Sequence, residues 1–149
     1  MNTPSFVFRR SLLSAILLIA VAAATPGCAH FDKPPQNLDY SRTRTSEAGL
    51  YRGTIRAEAD PIPKQRLHTW TLHLETNDGK PVETAHIEVD GGMPQHGHGL
   101  PTKPRVTRAL GDGQFLVEGM KFNMGGWWVV EFPVVADAGT DTLVFNLSL

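Results

Sequence analysis

A chain of 149 residues with a formal net charge of −1, 41% hydrophobic residues and a single cysteine has room for one packed domain and no more. The near-neutral charge, with no basic stripe, excludes electrostatic binding to nucleic acid. The lone Cys28 excludes a disulfide framework and a Cys-x-x-Cys redox motif.

At the N-terminus Arg9 and Arg10 precede an apolar, small-residue run from Leu12 to Ala24, too short to cross a bilayer comfortably as a helix, so residues 1–27 read as an export signal. The following Thr25-Pro26-Gly27-Cys28 resembles a bacterial lipoprotein signal, in which the cysteine is lipidated and becomes the mature N-terminus. The alternative is cleavage after Ala22-Ala23-Ala24, which would leave Cys28 as a free thiol in an oxidising compartment. Either way the protein is expected in the periplasm or cell envelope; a lipid on Cys28 would tether it to a membrane without spanning it. Loss of Arg9 and Arg10 with the signal takes the net charge from −1 to −3.

Residues 28–48 are polar and proline-bearing with no periodic apolar face, which predicts a flexible tether. From residue 49 to 149 the pattern is one of short strands and turns. Leu50 to Ala57 is a first strand. Leu67 to Glu75 alternates cleanly, with Trp70, Leu72 and Leu74 towards a core, and Asn77-Asp78-Gly79 carries a hairpin-type turn signal. Ala85, Ile87 and Val89 form one row of a further strand. Arg105 to Leu110 is expected to turn at Gly111-Asp112-Gly113 into Gln114 to Phe122, with Gly119 permitting a bulge. In Trp127 to Val135, parity places Trp128, Val130 and Phe132 in the core and Trp127 nearer the surface. Leu143, Phe145, Leu147 and Leu149 share one face of the last strand. About seven strands without a helical crossover predict an all-β, antiparallel, immunoglobulin-like sandwich.

Unusual chemistry is concentrated in Gly91-Gly92-Met93-Pro94-Gln95-His96-Gly97-His98-Gly99-Leu100-Pro101-Thr102. Its glycines and prolines predict a loop. Imidazole and thioether together suit copper: soft sulfur favours Cu(I), while imidazole serves Cu(I), Cu(II) and Zn(II). The plain alternative is an ordinary polar turn, since Gly, Pro and His are common loop residues. In an extended segment His96 and His98 project to one side, and a turn at Pro94 would bring Met93 to them. A blue-copper centre needs a cysteine thiolate, and Cys28 is far away in the tether. Structural zinc would require His96, His98 and a carboxylate such as Asp90. His30 would be a labile extra ligand at most, and His68, His73 and His86 are assigned no role. No catalytic motif is present, so the chain is read as a binding protein and not an enzyme.

Gly92-Met93-Pro94-Gln95-His96-Gly97-His98-Gly99, followed by Gly119-Met120-Lys121-Phe122-Asn123-Met124-Gly125-Gly126-Trp127-Trp128 and a terminal strand, resembles the YtkA-like and FixH-like family of exported immunoglobulin-like domains. The resemblance implies copper handling in the bacterial envelope and a fold similar to that of periplasmic copper carriers. It matches Met93, His96 and His98 to the family's metal-type loop and Met124 to the methionine before the tryptophan; Met120 is the weaker candidate, since methionine more often fills gaps in a core. The expected function is therefore a membrane-tethered copper carrier or accessory domain, holding Cu(I) or Cu(II) through Met93, His96, His98 and Met124. A copper enzyme or another envelope protein would be its partner. The alternative is a metal-free adaptor that uses the same loop, flanked by Trp127, as a protein-contact surface.

Overall fold

A computed structural model describes residues 33–149; the export signal, Cys28 and His30 lie outside the described residues. Ten strands form in chain order: β1 (Thr43–Thr45), β2 (Tyr51–Ala57), β3 (His68–Thr76), β4 (His86–Ile87), β5 (Asp90–Met93), β6 (His98–Gly99), β7 (Arg105–Gly111), β8 (Gln114–Met120), β9 (Trp127–Ala136) and β10 (Gly139–Ser148). One sheet has the order β1-β2-β3-β8-β7 and the other β10-β9-β5-β6, with β4 also on β9. All pairings are antiparallel. Six of the expected strands appear as β2, β3, β7, β8, β9 and β10, the one expected from Ala85 to Val89 is reduced to β4, and β1, β5 and β6 lie where a tether and a loop were expected.

The core is made by the alternating rows. Trp70, Leu72 and Leu74 of β3 and Phe115 and Val117 of β8 face Trp128, Val130, Phe132 and Val134 of β9 and Leu143, Phe145 and Leu147 of β10, all buried. Every residue of the buried cluster lies between Tyr51 and Leu147, so the sandwich closes without the N-terminal segment. The bulge expected at Gly119 is present: the β3–β8 register slips between His68 and Trp70, Gly119 has φ +86°, and Met120 and Phe122 both turn inward.

Local chemistry explains three departures from the expected elements. The Asn77-Asp78-Gly79 turn closes, with the Gly79 amide bonded to the Thr76 carbonyl at 2.9 Å, but the next strand, β4, joins the opposite sheet instead of completing a hairpin. Strands β4 and β5 keep a single register along β9; their separation falls opposite Pro133, which accepts from the Glu88 amide at 3.0 Å but has no N–H to give back. The tether, expected to run to residue 48, is fixed earlier. The Arg42 carbonyl accepts from the Ile55 amide at 2.9 Å, and Thr43–Thr45 pair with β2.

Asp141, buried at the start of β10, holds that N-terminal turn in place. Its carboxylate accepts from the Ser46 hydroxyl at 2.5 Å and from the amides of Ala48, Leu50 and Thr142 at 3.0, 3.1 and 2.7 Å. Burial alone would push the Asp141 carboxyl up, but these four donors outweigh it and lower its pKa from 3.8 to about 2. The depressed folded value means that the stabilisation is present at neutral pH and is lost as pH falls through about 2. Asp141→Asn should therefore cost about 1–3 kcal/mol at neutral pH. In urea denaturation the gap between wild type and variant should shrink as the pH is lowered from 4 towards 2; a gap independent of pH would contradict this role.

Candidate metal site

At one end of the sandwich meet the ends of β5 and β8 and the starts of β3, β6 and β9. The segment expected as a loop is instead a tight hairpin, with Met93 opposite His98 and Gly92 opposite Gly99. Glycine enables this strand where it was expected to forbid one. A Cβ on Gly91 would lie 2.3 Å from the Val129 carbonyl oxygen, and one on Gly92 would lie 2.4 Å from that of His98, so only bare backbone fits between β9 and β6. The turn closes on the Met93 carbonyl, which accepts from the amides of His96 and Gly97, both at 3.0 Å, and Gly97 takes the left-handed φ of +64° that ends it.

This turn fixes where the nominated side chains go. Met93 and His98 are directly opposed and share one face of the ladder, which sets their Cβ atoms about 4.5–5.5 Å apart. Met93 points inward and is 1% exposed. His98 is exposed at the sheet margin, where its ring lies edge-on to the buried Trp128, with centroids 5.7 Å apart. The His96 ring stacks on that of His98 at 5.8 Å. The two rings are near-parallel, 17° apart, and an imidazole binds a metal in its own plane, so both would meet one ion only after one ring rotates about its side-chain bonds, which its exposure permits. A carbonyl oxygen can only accept, so His98 Nδ1, 3.2 Å from the Gly99 oxygen, carries the proton. That leaves the Nε2 lone pair available to a metal.

Met124 reaches the same end from the β8–β9 connection. Its carbonyl accepts from the Trp128 indole N–H at 3.1 Å, and its side chain is 43% exposed. Two residues on, a Cβ on Gly126 would lie 2.8 Å from the Met93 methyl, so the glycine lets the Met93 side chain pack against this connection. The hairpin and the β8–β9 connection thus meet at Trp128, which touches His98 through its ring and Met124 through its carbonyl; His96 and His98 are open to solvent, Met124 is exposed and Met93 is buried. Phe122 packs edge-on to Trp128 at 5.1 Å. Behind Phe122, the buried His68 lies at 5.7 Å.

Other expectations need correction. Asp90 stands at the opposite end of β5 from Met93 and accepts from the Gly91 amide at 2.7 Å, so it does not complete a zinc set with His96 and His98. Among the described residues no three of His, Cys, Asp and Glu converge as a metal cluster. Trp127 has the outward parity expected but is only 7% exposed. Its indole donates to Asn146 Oδ1 at 2.9 Å, and the same amide donates to the Asp39 carbonyl at 3.2 Å, which brings the segment before β1 across this face. Trp127 is thus a packing residue and offers no exposed anchor to a partner. A cleft of about 610 Å³ runs between β4–β5 and β7 and is lined by Ile87, Leu100 and Val106 but by none of the four nominated ligands.

Comparison with known proteins gives a match of the YtkA-like family over residues 47–132. No curated protein matches the chain. Among solved structures, the ZirS C-terminal domain is similar at 13% identity and a TM-score of 0.37, over 90% of this chain and 88% of that one, which is too distant to inform fold or function.

Trp128→Phe should remove the bond to Met124 and leave part of the indole's space empty, lowering stability by about 2–4 kcal/mol. Amide hydrogen exchange should accelerate at Met124–Gly126 and His98 before it does in β10. Equal acceleration throughout the sandwich would show that the indole bond has no local role.

Proposed function

The chain belongs to the YtkA-like family, and on that premise we propose that it is an envelope copper-binding domain, a carrier or accessory protein that holds the ion at the β5–β6 hairpin. The observation that supports this most is a hairpin that presents two exposed imidazoles, 5.8 Å apart, with Met93 directly opposite His98. His96 and His98 supply nitrogen, with His98 presenting Nε2 because Nδ1 is engaged. Met93 supplies sulfur from below and Met124 from the rim. Two imidazoles with one or two thioethers suit Cu(I).

The differing exposure of the ligands suits transfer better than permanent storage. His96, His98 and Met124 are open to an approaching partner, so ligands can be exchanged one at a time without unfolding the hairpin. In this reading the protein binds and hands on the ion, to a copper enzyme or another envelope protein, and performs no turnover. Lipidation of Cys28 would keep it at a membrane face.

The test is anaerobic titration with Cu(I) against a competing chelator. One equivalent should bind to the wild type, and His96→Ala/His98→Ala should lose at least a hundredfold in affinity with the fold intact by circular dichroism. Met124→Leu should weaken binding less, by about tenfold. Wild-type binding no tighter than that of the double variant would overturn the proposal.

A further inference from the structure

Charge is divided between the two ends of the sandwich. The end opposite the hairpin carries Glu47, Asp78, Glu83, Asp112 and Asp137 in its connections, with Lys80 already paired to Asp78 at 2.7 Å. The hairpin end carries Lys64, Arg66, Lys103 and Lys121. Backbone bonds bring these four together. The Gln65 amide donates to the Phe122 carbonyl at 2.7 Å, setting Lys64 and Arg66 beside Lys121. The Thr102 hydroxyl donates to the Gly119 carbonyl at 2.7 Å, bringing Lys103 to the other side of the same strand end. Lys64, Arg66 and Lys103 are exposed and Lys121 is half-buried; none forms an ion pair with another described residue.

Two apolar side chains stand out among these cations. Leu67 is 64% exposed and Met124 is 43% exposed, and Lys64 Nζ lies within 3.7 Å of where a Cβ on Gly125 would be. The acids at this end are Asp39, paired with Arg44, and Glu58 and Asp60 in the β2–β3 connection. Glu58 accepts from the Thr69 hydroxyl at 2.6 Å and stays ionised, with Arg66 among the charges that lower its pKa. Arg66 is thus partly offset, and Lys64, Lys103 and Lys121 carry most of the positive field. Cations surrounding an exposed apolar side chain match an anionic lipid surface, where the charges meet headgroups and the apolar group enters the layer beneath.

We infer that this end of the domain docks on anionic lipid headgroups through Lys64, Arg66, Lys103 and Lys121, with Leu67 inserted among them and Met124 left at the solvent side for the ion. The net charge does not oppose this. Strands of seven to ten residues separate the two ends by about 25–30 Å, several Debye lengths at physiological salt, so a membrane at the basic end is screened from the acids. The chain also enters the fold at this end: the Asp39 carbonyl is held by Asn146 and the Arg42 carbonyl by Ile55. Covalent geometry allows the eleven residues from Cys28 to Asp39 to span no more than about 40 Å, so an anchor at Cys28 would deliver the basic end first. Docking would set the His/Met hairpin at headgroup level, within reach of a membrane-embedded donor or acceptor.

The test uses residues 29–149, which contain the whole core, in the presence of a metal chelator so that it is independent of ion binding. Sedimentation with phosphatidylcholine vesicles and with an equal mixture of phosphatidylcholine and phosphatidylglycerol should give binding to the mixture alone, abolished by high salt. Lys64→Glu/Arg66→Glu/Lys121→Glu should reduce partitioning about a hundredfold with the melting temperature retained, and the milder Lys64→Gln/Arg66→Gln should give a smaller loss in the same direction. Asp112→Asn/Asp137→Asn at the opposite end should leave partitioning unchanged. No binding to the mixture, equal binding to both vesicles, or wild-type binding by both basic-end variants would overturn the inference.

Discussion

The indole of Trp128 is the contact on which the hairpin end depends. Its ring is fully buried and meets Phe122 edge-on below and His98 at the margin, while its N–H is fixed on the Met124 carbonyl. One side chain therefore joins the core, the β5–β6 hairpin and the β8–β9 connection. A buried indole N–H without a partner is costly, so satisfying it with Met124 also ties down a glycine-rich segment that has little packing of its own. The nominated ligands are organised as a consequence of how the core closes.

Glycine sets the other constraint. Gly91, Gly92 and Gly126 stand where backbone or a methionine methyl approaches closer than any Cβ would tolerate. Strand β5 can thus lie tightly between β9 and β6, and Met93 can pack beside the neighbouring connection. Much of the site's precision comes from missing side chains, and the imidazoles are then placed by the register Met93 opposite His98. The division between a buried thioether and exposed imidazoles follows from that register: the inner face of the ladder ends at the sheet margin, with Met93 on the core side of it and His98 at the solvent side.

The alternating rows were legible because a period of two is local. Trp70, Leu72 and Leu74, or Leu143, Phe145 and Leu147, declare their face without knowledge of the partner strand. Gly119 announced its bulge for a similar reason. The β5–β6 hairpin was hidden because glycine carries no strand signal and the surface it fits, Val129–Glu131 of β9, lies far along the chain. Parity gave the correct face for Trp127 but not its burial, since its cover comes from around Asp39, in a stretch that reads as spacer. The Ser46–Asp141 contact was likewise invisible, because two polar turn residues look solvated until the fold joins them. His96, His98, Met93 and Met124 could be singled out by residue type alone, and the topology puts the hairpin and the β8–β9 connection that carry them at one end of the sandwich.

The central claim is that one ion is held by imidazoles from the hairpin together with thioether sulfur. X-ray absorption spectroscopy of the Cu(I)-loaded protein tests it most directly, because scattering from sulfur and from imidazole rings is resolved in one spectrum. The account predicts two imidazole nitrogens and at least one sulfur, with the sulfur signal reduced in Met93→Leu. A copper environment of nitrogen and oxygen alone, or one unchanged when both Met93 and Met124 are replaced by leucine, would contradict it.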